Sequence, residues 1–154
     1  MAVQDDDSQL AKQLIGSILI QRKIITSAQL DEALAIQKKD GGFLGEVLVG
    51  LGYLDEKEIV AALIVQCSLP YIAITKYAID PILAQVVPEE FALKNLVVPF
   101  DRVGNVLSVV MVNPLSASMK QELENMTGCK LATFIATKTE IKLAIGRLYH
   151  PPRN

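Results

Sequence analysis

The sequence predicts an α+β chain: an N-terminal helical subdomain of two repeated helix pairs, then a small α/β subdomain with a roughly three-stranded sheet. Three observations predict it. Residues 14–37 and 43–66 repeat each other. The sequence character changes after Pro70. Beyond that point, β-branched runs alternate with capped helical stretches.

The repeat pairs LIGSILIQRKIITSAQLDEALAIQ (14–37) with FLGEVLVGLGYLDEKEIVAALIVQ (43–66). Five of the 24 columns are identical: Gly16/Gly45, Leu19/Leu48, Ala33/Ala62, Leu34/Leu63 and Gln37/Gln66. Apolar segments match by chance in a few columns, but hardly also in the Gly and the Gln. In each unit the first helix shows the i, i+3, i+4, i+7 pattern. The residues are Ile15, Ile18, Leu19 and Arg22 in one copy, and Leu44, Val47, Leu48 and Leu51 in the other. The second helix opens on a capping box in both, Thr26 with Gln29 and Asp55 with Glu58. It continues as one stripe, Leu30-Ala33-Leu34-Gln37 or Ile59-Ala62-Leu63-Gln66. Gly41-Gly42 separates the units.

Residues 69–79 read as extended or irregular, and Pro81 and Pro88 start short helical stretches over 81–87 and 88–95. Leu96–Phe100 and Val106–Val112 form a hairpin around the loop 101–105. Asn113-Pro114 reads as a cap and first turn of a helix ending at Thr127-Gly128. A third strand, Leu131–Ala136, follows. Thr137 with Glu140 then caps a last helix that runs to about Tyr149. The domain layout is therefore a tail over 1–7, a helical subdomain over 8–68, an α/β subdomain over 69–150 and a short tail over 151–154.

The composition excludes several functions. There are 15 Lys+Arg against 17 Asp+Glu, a net charge of −2, which argues against nucleic acid as a general polyanion partner. One His and two Cys, Cys67 and Cys129, leave no pattern for a metal site or a Cys/His nucleophile. No Walker loop, G-x-G-x-x-G, H-E-x-x-H or G-x-S-x-G occurs. The carboxylates at 55–58 and 89–90 fall in first helical turns, where negative charge is favoured, and His150 sits at a helix C-terminus. The expectation is no catalytic residue, no cofactor and no metal. The acidic polar N-terminus and the lack of a ~20-residue apolar run lead to the expectation of a soluble, cytoplasmic chain.

One constellation remains. Gly16 and Gly45 sit inside apolar helical stripes, where glycine costs about 0.5–1 kcal/mol against alanine. Something approaches the backbone at both places: a neighbouring helix or a planar ligand. Gln37 and Gln66 end their stripes with an amide that needs a partner, either a loop carbonyl or a ligand edge.

The repeated spacing L-G-x-x-L-[VI]-x-x-G-x-[LI]-x(4)-L-x(3)-L-x-x-Q resembles the N-terminal domain of type II secretion and type IV pilus assembly ATPases. The copy LGEVLVGLGYLDEKEIVAALIVQ carries it most strongly. VPEEFALKNLVVPF, LSVVMVNP and MTGCKLATFIATKTEIKLAIGRLY continue it, so the likeness covers about 8–150. The resemblance implies a non-catalytic regulatory domain that docks its motor to the cytoplasmic domain of an inner-membrane platform protein. In some members the tandem motif binds cyclic di-GMP. By position its residues here are Ile15, Gly16, Ile18, Leu19, Leu30, Leu34 and Gln37. The second set is Leu44, Gly45, Val47, Leu48, Ile59, Leu63 and Gln66. The motif opens on Arg before the Leu-Gly pair, where this chain has Leu14 and Phe43, and Lys23 stands where glycine is usual. A guanidinium stacks on guanine and bonds phosphate; Leu does neither, and Phe only stacks.

Overall fold

A computed structural model describes residues 15–114 and 116–151, apart from the side chain of Gln66. The expected tails over 1–7 and 151–154 lie outside that description except for Pro151, as does Leu14. The chain divides between Ser68 and Leu69 into two compact units.

The first unit is built from helices in pairs. Helix α1 covers 15–21 of the described residues, α2 spans Ser27–Asp40, α3 spans Leu44–Gly50 and α4 spans Glu56–Cys67. Both expected capping boxes form. Thr26 and Asp55 accept from the N–H groups of Gln29 and Glu58, whose side chains accept from the cap N–H in return. At Phe43 only half of such a box exists, with Glu46 Oε2 accepting from the Phe43 N–H at 3.3 Å.

The first helix of each pair ends in the same way. Ile24 N–H donates to the Leu19 carbonyl and Lys23 N–H to that of Ile20. Twenty-nine positions later, Tyr53 N–H donates to Leu48 and Gly52 N–H to Val49. This bond pair is the Schellman arrangement, which needs a left-handed residue at its turn. Lys23 and Gly52 fill that place, with φ of 61° and 80°. Arg22, expected on the apolar stripe, is exposed beyond the end of α1, because the turn at Lys23 redirects the chain. The core of the unit is Leu19, Leu48, Ala33 and Ala62, all at 0% exposure, with Ile15, Ile18, Leu44 and Leu63 around them.

The second unit begins with an extended stretch in which Tyr71 bridges Ile135. Two 3-10 turns follow, Ile74–Lys76 and Pro81–Gln85, and then α5, Glu89–Asn95. The stretch expected as helix over 81–87 is thus only a 3-10 turn, opened by Asp80, whose carboxylate accepts from Ile82 N–H. Pro88 is the cap residue of α5 rather than its first helical position. Strands β1 (Val97–Val103) and β2 (Val106–Met111) form the hairpin, and β2 pairs in parallel with β3 (Lys130–Ile135).

The hairpin is tighter than its sequence suggests. Val103 pairs with Val106, leaving only Gly104-Asn105 as the turn. Gly104 at φ 61° supplies the positive dihedral that a two-residue connection requires. Residues 101–103 pair as strand because a bulge at Phe100 resets the register: Pro99 faces Val109, but Asp101 faces Ser108. Helix α6, Ala117–Thr127, starts three residues later than Asn113-Pro114 implied. Val112 N–H still bonds the Leu96 carbonyl, so Asn113-Pro114 forms the exit from the sheet. Ser116 takes the capping role, accepting from Met119 N–H. Helix α7 spans Lys138–Tyr149, with the expected Thr137–Glu140 box at its start. Its buried stripe, Ile141, Ala144, Ile145 and Leu148, belongs to the core of this unit, as do the fully buried Val97, Val98, Val109 and Val110.

Candidate functional site

The tandem motif sits in the first unit, and its two halves have matching geometry. A Cβ built on Gly16 would lie 2.8 Å from Leu30 Cδ2; one on Gly45 would lie 2.8 Å from Ile59 Cδ1. Leu30 and Ile59 are equivalent repeat positions on the second helix of each pair. The close approach expected at both glycines is therefore made by a side-chain tip of the paired helix. Gln37 is 7% exposed, and its Nε2 donates to the Gly42 carbonyl at 2.8 Å. Of the two partners open to its amide, this is the loop. The side chain of Gln66 lies outside the described residues.

The motif residues separate into two groups by exposure. Ile15, Ile18, Leu19, Leu44, Leu48 and Leu63 belong to the core. Leu30, Leu34, Gly45, Val47 and Ile59 are half-buried and keep accessible surface, and so does Phe43. A bond the sequence did not announce ties α2 to the turn after α3: Tyr53 Oη donates to Glu32 Oε2 at 2.6 Å. Accepting that proton, the Glu32 carboxylate holds the Tyr53 hydroxyl above its ordinary pKa.

In the second unit α7 is the organiser. Tyr71 Oη donates to Glu140 at 2.6 Å, Arg147 donates to the Thr75 carbonyl, and Tyr149 Oη donates to the Val87 carbonyl at 2.6 Å. His150 Nε2 lies 2.6 Å from Glu89 Oε1, joining the end of α7 to the start of α5. The partners are 61 to 72 positions apart in sequence, so no local pattern announces them. Burial, and then the nearby Glu89 carboxylate, push the Tyr149 hydroxyl up to about 12. The bond to Glu140 raises Tyr71, and burial followed by the neighbouring Lys142 lowers Lys138.

Between α7 and the segment that precedes α5 lies a groove of about 170 Å³. Ile74, Tyr77, Ile79 and Pro81 form one side, and Ala144, Arg147 and Leu148 the other. Next to these in sequence stand two large exposed apolar side chains, Ile82 at 62% and Leu143 at 52%. The sequence pattern held a signal for this. Leu143 is an apolar residue off the buried stripe of its helix. Among the described residues no group of His, Cys, Asp or Glu is placed to hold a metal ion, and no buried side-chain polar atom lacks a partner. No described helix is long and apolar enough to cross a membrane.

Comparison with known proteins bears out the resemblance read from the sequence. The chain is 33% identical over 135 residues to the type IV pilus assembly ATPase PilB of Myxococcus xanthus. It is 28% identical over 137 residues to that of Thermus thermophilus. In both cases 88% of this chain is matched, but it spans only 24% and 15% of those relatives. Among solved structures, that of MshE with cdg superposes with a TM-score of 0.70 at 29% identity, over 88% of this chain and 98% of the other. The N-terminal domain of XpsE has the same fold, with a TM-score of 0.74 at 17% identity over 89% and 94% of the two chains. The model of the MshEN domain matches residues 67–154, more than half of the sequence, and the chain belongs to that domain family.

Proposed function

We propose that the chain is a non-catalytic docking and regulatory domain of a pilus-assembly or secretion motor. It joins the motor to the cytoplasmic domain of an inner-membrane platform protein, and so reaches the membrane only through that partner. The observation that carries this reading is the apolar groove of the second unit, with the exposed Ile82 and Leu143 adjacent in sequence to its lining residues Pro81 and Ala144. Large apolar side chains gathered at one place on a surface mark interaction sites. The polar groups around the groove are already engaged, Arg147 with Thr75 and Asp80 with Ile82, so the surface offers shape and apolar area rather than reactive chemistry. The test is calorimetry with the cytoplasmic fragment of the platform protein from the same cell. Ile82→Asp and Leu143→Asp should each weaken binding about tenfold, a loss of ~1.4 kcal/mol. Unchanged affinity in both variants excludes the groove, and no binding by the parent chain refutes docking altogether.

A second reading is a cyclic di-GMP sensor in the first unit. Its support is the 29% identical structure of MshE with cdg, together with the tandem motif repeated in the two helix pairs. The proposed residues are those of the tandem motif. The half-buried Leu30, Leu34, Val47 and Ile59 offer apolar edges to a guanine face, and Phe43 offers a stacking surface. Titration of ~10–100 μM chain detects a micromolar ligand as heat. Absence of heat, with no thermal shift at millimolar ligand, ends this reading.

A further inference from the structure

We infer that the outer edge of β3 is where the docked partner adds an extended strand, hydrogen-bonded to the backbone of Leu131 and Thr133. The inference rests on the docking reading and names the chemistry of the partner segment. The sheet runs β1-β2-β3, so β1 and β3 are its two edges. Backbone groups of a strand point alternately to its two sides. Lys130 N–H turns inward and donates to the Asn105 carbonyl, and Ala136 N–H turns inward to Met111. Ile135 turns outward: its N–H donates to the Pro70 carbonyl, and its own carbonyl accepts from Ile72 N–H. By the same alternation Leu131 and Thr133 turn outward, each presenting an N–H and a C=O. Among the described residues no strand pairs with them; the bridge of Tyr71 to Ile135 is the whole of the pairing on that side.

The two edges differ in how they are guarded. Edge strands are blunted by proline, bulges and charge. β1 has all three: Pro99, the bulge at Phe100, and Asp101-Arg102. β3 reads Lys-Leu-Ala-Thr-Phe-Ile, regular in register throughout, with no proline and its one charge at the first position. Its last residue already accepts an extended segment, Pro70–Ile72, in parallel. The same edge continues with the same spacing, and residues 131–134 on it are half-buried. An occupant must therefore be an extended peptide without proline at its paired positions. Strand addition of this kind draws affinity from main-chain bonds and specificity from alternate side chains.

Amide hydrogen exchange on the chain alone is the first measurement. The Leu131 and Thr133 amides should exchange on the order of a hundredfold faster than those of Ala132 and Phe134, which face β2. Protection of all four in the free chain would show the edge closed from within or, where it falls on dilution, paired with a second copy, and either result would overturn the inference. The second measurement adds the cytoplasmic fragment of the platform protein. The two outward amides should then become protected. Thr133→Pro, which removes one outward N–H, should weaken binding about tenfold while Thr133→Val does not. Binding that leaves both amides exchanging freely overturns the strand addition and leaves docking intact. No binding by the parent chain overturns docking, and this inference with it.

Discussion

Lys23 and Gly52 occupy the same left-handed turn in the two repeats, at φ 61° and 80°, with the same pair of backbone bonds around each. The family motif places glycine there, and the structure supplies the reason. A side chain in the left-handed region costs about 1–2 kcal/mol, and glycine escapes that cost. Lys23→Gly should therefore raise stability by about 0.5–1 kcal/mol, less than the full strain because glycine also loosens the unfolded chain. Gly52→Lys should lower stability by a similar amount. Urea denaturation of both variants checks the pair, and a destabilised Lys23→Gly would falsify the account.

Gly16 and Gly45 look equivalent, but alanine should separate them. At Gly16 a Cβ meets two Leu30 methyls, at 2.8 and 3.0 Å; at Gly45 it meets one terminal Ile59 methyl at 2.8 Å. A single methyl at the end of a flexible chain swings aside easily. Gly45→Ala should come out within about 0.5 kcal/mol of the parent, since the helix gains nearly what packing loses. Gly16→Ala, on a more buried helix, should cost about 1–2 kcal/mol. Equal thermal shifts in the two variants would contradict this.

Gln37→Ala removes the amide that holds the Gly42 carbonyl. Gly42 is exposed, so water can replace the lost donor, and the expected loss is about 1 kcal/mol. The local sign should be faster amide exchange across the connection between α2 and α3. A variant as stable as the parent, with unchanged exchange there, would mean the bond contributes nothing.

Gly146 lies mid-helix on the exposed side of α7, and a Cβ there would meet nothing within 4 Å. Gly146→Ala should stabilise the chain by about 0.5–1 kcal/mol. A loss of stability in thermal melts would show that the helix needs the glycine for a reason other than space.

Tyr149 sets an alkaline limit. Its hydroxyl is raised from 10.0 to about 12 because burial, and then Glu89, disfavour the phenolate. The neutral form is thus favoured in the folded state. Its contribution is fully present below pH 10 and is lost as pH rises toward 12. Tyr53 and Tyr71 are raised by their carboxylate partners and act with the same sign. Tyr149→Phe should lose about 0.5–1.5 kcal/mol at neutral pH and show a shallower alkaline decline. An unchanged pH profile in that variant would reassign the decline to the other tyrosines.

The helix pairs, the three capping boxes, the glycine stop of α6 and the β1-β2 hairpin were all legible in the residues. Each rests on interactions between positions three to five apart, or on period-2 and period-3.6 burial, which sequence displays directly. The start of α6 was misplaced because Asn113 and Ser116 both suit a cap. Their choice depends on the Val112 bond to Leu96, across the sheet. The extension of β1 past Phe100 was hidden for a similar reason. Phe100 is held by edge-to-face contacts with Tyr77 and Phe134, and the register resets around it.

The candidate surfaces divide along the same line. That glycine, leucine and glutamine recur in step was plain from the repeat. Whether each glycine faced a ligand or a neighbouring side chain, and whether Gln37 turned to the loop, depended on where the second helix of each pair lies. The groove beside α7 and the open edge of β3 had no motif at all. The groove joins segments about 60 to 70 residues apart, and the edge is left by the order of strands in the sheet. Both follow from burial of the valine-rich sheet, and burial is non-directional. It selects which residues go inside by type, and leaves to packing which of the remaining side chains and backbone groups end up side by side on the surface.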